Sequence, residues 1–150
     1  MKAIITDLDR TLLHTDKTLS AYTVAILQKC RNRGIAVMAA TARPQRSMQD
    51  YDDLLHFQAI TTMNGARIIL PDRILDNGIA HASAKQILPQ ISTIPDVLIS
   101  LETADGLFAN AEIPEWNAKF FPYLPSLPSH NTLYKILISS KKDIPFEKIG

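Results

Sequence analysis

The sequence predicts an α/β protein built on a parallel sheet, and three observations carry that prediction. Short apolar runs rich in β-branched residues recur, at Ala3–Ile5, Ile35–Ala40 and Ala59–Met63. Segments with apolar residues at helical spacing lie between them, as a strand–helix–strand crossover requires. The first run delivers two aspartates, Asp7 and Asp9, at its carboxyl end, which is where open α/β sheets bind ligands.

The bulk numbers narrow the class further. Apolar residues make up 46% and charged residues 21% of 150 residues, ordinary values for a globular chain long enough to bury a core. A net charge of +1 gives no field to attract nucleic acid or an anionic membrane. The single cysteine, Cys30, excludes an intrachain disulfide and suits a reducing compartment. No apolar run is of spanning length and the N-terminus enters a strand directly, so the expected setting is cytoplasmic.

Taken in order, the first strand is expected to be buried on both faces. A polar connection, His14–Thr18, leads to a helix with Ser20 as N-cap and with Leu19, Thr23, Ile26, Leu27 and Cys30 on one face. Gly34 stands where a C-terminal cap belongs. Ile35–Ala40 is the second strand, ending at Thr41. Pro44 opens a second helix with an apolar stripe at Met48, Tyr51 and Leu55, packing residues without a chemical role. Asp50, Asp52 and Asp53 form its solvated side, and His56 lies near its end. Ala59–Met63 is a third parallel strand, followed by the turn Asn64-Gly65-Ala66. Arg67–Leu70 and Ile74–Leu75 flank a hairpin at Pro71-Asp72-Arg73.

From residue 80 the organisation changes. Ser83–Ile94 has helical composition that Pro89 should interrupt or bend. Val97–Leu101 and Leu107–Asn110 are strands joined through Glu102–Gly106. A segment with Pro114, Pro122, Pro125 and Pro128 carries Trp116, Phe120, Phe121 and Tyr123, expected to pack on one another as a loop. Few basic residues are interleaved there, which argues against a nucleic-acid stacking platform. Thr132–Ser139 alternates as a strand, and Ile144–Ile149 opens a further helix.

The chemistry starts with Asp7 and Asp9. Two positions apart on an extended chain, both carboxylates point to one side. Acids that close need a cation or a shared proton, and Mg2+ is the hard, oxygen-seeking ion that fits. A hydroxyl at Thr41, on the end of the neighbouring strand, can donate to an oxygen held beside them.

Asp7-Leu8-Asp9-Arg10-Thr11-Leu12-Leu13 resembles the first motif, Asp-x-Asp-x-Thr, of the haloacid dehalogenase-like hydrolase superfamily. Thr41-Ala42-Arg43-Pro44 resembles the second motif, Thr-Gly-Arg-Pro, of its Cof-type branch of sugar-phosphate phosphatases. Asn64-Gly65-Ala66 is similar to a family segment near the substrate entrance. Two positions depart from the pattern: Arg10 and Ala42 stand where glycine is usual. The resemblance implies a partial Rossmann-like core over residues 1–79 and part of an α+β cap over 80–150. It implies Mg2+ at Asp7 and Asp9, held by an Asp7 carboxylate oxygen and the Asp9 backbone carbonyl, catalysis by the same two acids, and phosphate or substrate contacts from Thr11, Thr41, Ala42, Arg43 and Asn64. Asp7 would form an aspartyl-phosphate with a small phosphorylated metabolite, Asp9 would act as acid and base, and the cap would select the substrate.

The family's third motif, a Lys or Arg, and its fourth, an acidic loop, have no match in these residues. The alternative function is therefore a catalytically incomplete unit that binds phosphate or metal weakly, or makes interfaces. A phospho-acceptor receiver module fits less well, since it places its acids on separate strands. Without further strands beside it, the apolar edge at Ala3-Ile4-Ile5 should recruit a partner, giving a homo-oligomer, or belong to a longer product.

Overall fold

In the computed structural model β1 (Lys2–Thr6) forms one edge of a five-stranded sheet of order β1-β2-β3-β4-β5, and residues 2–122, 126 and 132–140 are described. β2 (Ile35–Ala40) and β3 (Ala59–Thr62) continue it in parallel, with Ile4 opposite Val37 and Ala39 opposite Ile60. β4 (Arg67–Ile69) and β5 (Ile74–Asp76) add an antiparallel hairpin at the far side. The sheet is thus mixed, with a parallel half that carries the chemistry-bearing strand ends.

Two helices cover one face. α1 (Ala21–Asn32) starts at Ser20, whose hydroxyl accepts from the Thr23 N–H at 3.0 Å, and ends before Gly34, which takes φ +74°. Its buried contact centres on Leu27, with Leu19 and Val24 beside it, whereas Ile26 faces outward. After a 3-10 turn at Gln45–Ser47 comes α2 (Gln49–Leu55), anchored by the fully buried Met48 and Leu55. Ile4, Val37, Ala39 and Ile60 pack against these helices in two adjoining clusters.

The first strand corrects the expectation of burial on both faces. Ile4 packs beneath the helices, but Ile5, one residue on and therefore on the opposite face, is 67% exposed. Apolar composition marks β1 as a buried strand; its place at the sheet edge, with no helix of this unit on Ile5, leaves it open.

The chain divides into two compact units between Asn77 and Gly78. In the second, a four-stranded sheet of order β8-β7-β6-β9 is built from β6 (Leu98–Thr103), β7 (Gly106–Ala109), β8 (Lys119–Phe120) and β9 (Leu133–Ser139). α3 (His81–Ile91) packs Ala84, Leu88 and Ile91 onto Ile99 and Leu101. Pro89 does not interrupt α3: it sits in the last turn, so the helix loses the single bond to the Lys85 carbonyl, and Ile91 is held by burial at 1% exposure. The aromatic segment also differs from expectation. Phe121 meets Phe108 edge to face, but Trp116 and Phe120 are 52% and 55% exposed, so they do not pack a loop core. Tyr123, Pro125 and Pro128, and the helix expected at Ile144–Ile149, lie outside the described residues. No helix among the described residues is long and apolar enough to cross a membrane.

Candidate active site

Three successive strand ends converge at the carboxyl edge of the parallel half-sheet. Asp7 follows β1, Thr41 follows β2, and Asn64 and Gly65 follow β3; together with Ala40, Ala42 and Thr61 they line a cleft of ≈ 530 Å³. Backbone bonds tie the loops that form its wall. The Thr41 N–H donates to the Thr61 carbonyl at 2.9 Å, the Asn64 N–H to the Thr41 carbonyl at 3.2 Å, and the Met63 N–H to the Arg43 carbonyl at 3.0 Å. The Thr41 side chain is 5% exposed and its hydroxyl oxygen accepts from the Arg43 N–H at 3.2 Å, which leaves its own O–H to donate.

The loop after β3 takes an uncommon path. Met63, Asn64 and Gly65 lie in succession at φ +51°, +57° and +97°. Glycine and asparagine tolerate that region, whereas a buried methionine there stores strain, which is the kind of backbone found where a loop is held for function. Thr61 joins the site unannounced by the sequence, and Gly65 joins it from the Asn64-Gly65-Ala66 segment.

The two positions where glycine is usual behave differently. Arg10 has φ +60°, so the local backbone does call for the left-handed region that glycine adopts freely. Ala42 is absent from the positive-φ residues, so alanine is accommodated there without strain.

The Asp9 carboxylate takes cations as its partners. β1 ends at Thr6, and the chain then folds over Leu8, which is fully buried and whose carbonyl accepts from the N–H groups of Thr11, Leu12 and Leu13 at 3.2, 3.1 and 2.8 Å. The alternation rule of an extended strand therefore lapses before residue 9. Asp9 instead meets Arg43, Nε to Oδ2 at 2.8 Å and Nη2 to Oδ1 at 2.8 Å, and Lys17, Nζ to Oδ1 at 2.6 Å. The Arg43 guanidinium hydrogen bonds, and then that of Lys17, hold the Asp9 carboxyl well below the usual carboxylate range. The same pairing raises Arg43 above its ordinary value.

Lys17 is delivered by a closed loop. The His14 N–H donates to the Thr18 carbonyl and the Lys17 N–H to the His14 carbonyl, both at 3.0 Å, with Lys17 itself at φ +69°. Tyr51 completes the cluster: its hydroxyl donates to the Lys17 carbonyl at 3.0 Å and accepts from Arg43 Nη1 at 3.3 Å. Neither Lys17 nor Tyr51 is expected in the site from sequence. Of the predicted residues, Asp7, Thr41, Ala42 and Asn64 line the cleft; Asp9, Thr11 and Arg43 do not. A second hollow of ≈ 630 Å³, between α1 and α2, is walled by Leu19, Val24, Ala25 and Leu54 among others and brings no pair of acids together.

The donor set for a cation is small. Among the described residues no group of three or more His, Cys, Asp or Glu side chains is placed to hold a metal ion. Mg2+ asks for one or two carboxylates, its other positions going to water and phosphate oxygens, so the exposed Asp7 carboxylate at the cleft fits it. The Asp9 carboxylate is taken up by two cations, so a contribution from Asp9 falls to its backbone carbonyl, the atom that the resemblance implies.

The family model for haloacid dehalogenase-like hydrolases matches residues 4–148. The chain belongs to that family. The resemblance read from Asp7–Leu13 and Thr41–Pro44 is thereby borne out. Solved structures agree at the level of fold. This haloacid dehalogenase-like chain superposes on a Thermotoga maritima protein with a TM-score of 0.76 at 22% identity, covering 91% of this chain and 55% of that one. It matches a Bacteroides thetaiotaomicron protein, described among the phosphatases of the superfamily, with a TM-score of 0.65 at 24% identity, covering 76% and 43%. A structure described as a sugar phosphatase of subclass IIB gives 0.59 at 20% identity, covering 73% and 44%. The chain spans about half the length of the solved relatives it matches.

Proposed function

We propose that this chain carries the phosphoryl-receiving part of a Mg2+-dependent phosphatase acting on small phosphorylated metabolites. The observation that supports this most is the cleft itself, where an exposed carboxylate (Asp7) and a buried hydroxyl donor (Thr41) stand on adjacent parallel strand ends. The described sugar phosphatase and phosphatase relatives point to the same substrate class.

In this reading an Asp7 carboxylate oxygen attacks the phosphorus, the ester oxygen departs with its bonding pair, and the phosphoryl group stays on Asp7. The Thr41 hydroxyl donates to a non-transferring oxygen, and the wall from Ala42 to Gly65 fixes where that oxygen sits. Asp9 gives a proton to the leaving alkoxide and takes one from the water that releases phosphate. To do so it must first be released from the Arg43 guanidinium, the stronger of the two holds that keep it a carboxylate. Mg2+ held at Asp7 would supply charge neutralisation for the phosphoryl oxygens.

A second reading is favoured by that same grip on Asp9: a unit that binds phosphate at the cleft without turning esters over. Turnover of a generic aryl phosphate with Mg2+ separates the two. Measurable turnover that Asp7→Asn abolishes supports the phosphatase; turnover unchanged in Asp7→Asn removes Asp7 from its role; phosphate binding without turnover supports the second reading.

A further inference from the structure

The charged network around Asp9 contains two residues, Lys17 and Tyr51, that the reaction above does not use. Three separate segments build it. The loop before α1 supplies Lys17, the loop after β2 supplies Arg43, and α2 supplies Tyr51. Tyr51 joins the two cations, its hydroxyl bonded to both residues and its ring 5.3 Å from the Arg43 guanidinium carbon. A planar guanidinium stacked on a ring and bonded in a fork is fixed in advance, unlike an ordinary pair of long surface side chains.

Arg43 does not line the cleft, but its backbone is tied to residues that form it. Its N–H bonds the Thr41 hydroxyl oxygen and its carbonyl accepts from Met63, while its guanidinium is turned onto Asp9. A phosphoryl dianion presents the same paired oxygens as a carboxylate, so the two are alternative partners for a guanidinium fork.

We propose that Arg43 is a shared cation, held on Asp9 by Tyr51 and passed to a phosphoryl group entering the cleft, while Lys17 stays as the counter-charge that keeps Asp9 in place. Lys17 and Tyr51 are then positioning residues. This rests on the cleft being a phosphoryl site. It has a thermodynamic signature: the Asp9–Arg43 pair and the phosphate–Arg43 pair exclude each other, so Asp9 must weaken anion binding through Arg43 in particular.

Calorimetric titration of the whole chain with inorganic orthophosphate tests this in a double-mutant cycle. Asp9→Asn should tighten binding about tenfold, and the gain should vanish in an Arg43→Met background, leaving Arg43→Met and the double variant within about twofold of each other. Tyr51→Phe, which keeps the ring and drops the hydroxyl, should cut the gain to about threefold. If circular dichroism shows Arg43→Met unfolded, Arg43→Lys takes its place, keeping the charge without the fork, and should at least halve the gain. A gain that persists in full without Arg43, or no gain at all, overturns the inference. Thr41→Val is the control for the underlying reading. If it lowers affinity while the cycle shows no coupling, only the shared-cation inference fails; if it leaves affinity unchanged, or if no variant binds orthophosphate, both fail.

Discussion

Arg43 holds Asp9 by both carboxylate oxygens, at 2.8 Å each, and Lys17 closes on the same group at 2.6 Å. The carboxyl is drawn below its ordinary value of 3.8, so between the folded and unfolded values the folded state binds fewer protons. The stability this contributes is fully present above about pH 4 and is lost as pH falls toward the folded value. Because the Asp9 side chain is 35% exposed, solvent screening keeps the contribution to about 1 kcal/mol. Denaturant unfolding of the wild type and Asp9→Asn should show that advantage at pH 7 and its decline below about pH 4. An advantage that grows on acidification would contradict the pairing.

The open edge of β1 makes a prediction about association. Ile5 is 67% exposed on a strand whose outer backbone groups pair with nothing among the described residues of the sheet. Such an edge invites pairing with another chain, and an edge lysine prevents it. Light scattering after size exclusion should find the wild type self-associating and Ile5→Lys shifted toward monomer. A wild type that stays monomeric at moderate concentration would remove the edge as an interface.

Arg10 and Gly65 should respond in opposite directions to exchange between glycine and a side chain. Arg10 sits at φ +60°, where a side chain costs about 1–2 kcal/mol, offset in part by the entropy glycine loses on folding. Arg10→Gly should therefore stabilise by about 0.5–1 kcal/mol. Gly65 is at φ +97°, and a methyl group added there would meet open space, so Gly65→Ala brings no clash and costs about 1 kcal/mol from the backbone alone. Thermal unfolding reads both, and equal signs would refute the backbone argument.

Gly78, where the second unit begins, is a different case. A Cβ there would lie 2.9 Å from the Leu133 carbonyl oxygen and 2.5 Å from Thr132 Cγ2. The Ile79 N–H bonds that same Leu133 carbonyl at 2.7 Å, so the chains cannot separate without losing the contact. Gly78→Ala should cost about 1–3 kcal/mol, measured by denaturant unfolding. A neutral result would show that residue 78 can draw back from β9 without loss.

Much of the fold was legible because local rules and packing agree. Ser20 and Gly34 mark the ends of α1 by their capping chemistry, and the runs at Ile35–Ala40 and Ala59–Thr62 are strands in parallel register. Where reading failed, long-range geometry had overridden a local rule. Composition alone suggests burial of β1 on both faces, whereas the lack of further strands to pair with it makes it an edge, and the fold follows the second with Ile5 open. Alternation places Asp7 and Asp9 together only while the chain stays extended, and it stops at Thr6. Lys17 lies in a polar loop with no periodicity to single it out. Tyr51 sits at a helical spacing that fits packing, and nothing in that spacing reveals what its hydroxyl reaches.

The most direct measurement is an NMR titration of the whole chain with orthophosphate and Mg2+, following backbone amide signals. Shifts should concentrate at Asp7, Thr41, Ala42, Asn64 and Gly65, and should be suppressed in Thr41→Val. Absence of shifts at these residues under conditions where the protein is folded, or shifts confined to the hollow between α1 and α2, would contradict a phosphoryl site at the strand ends.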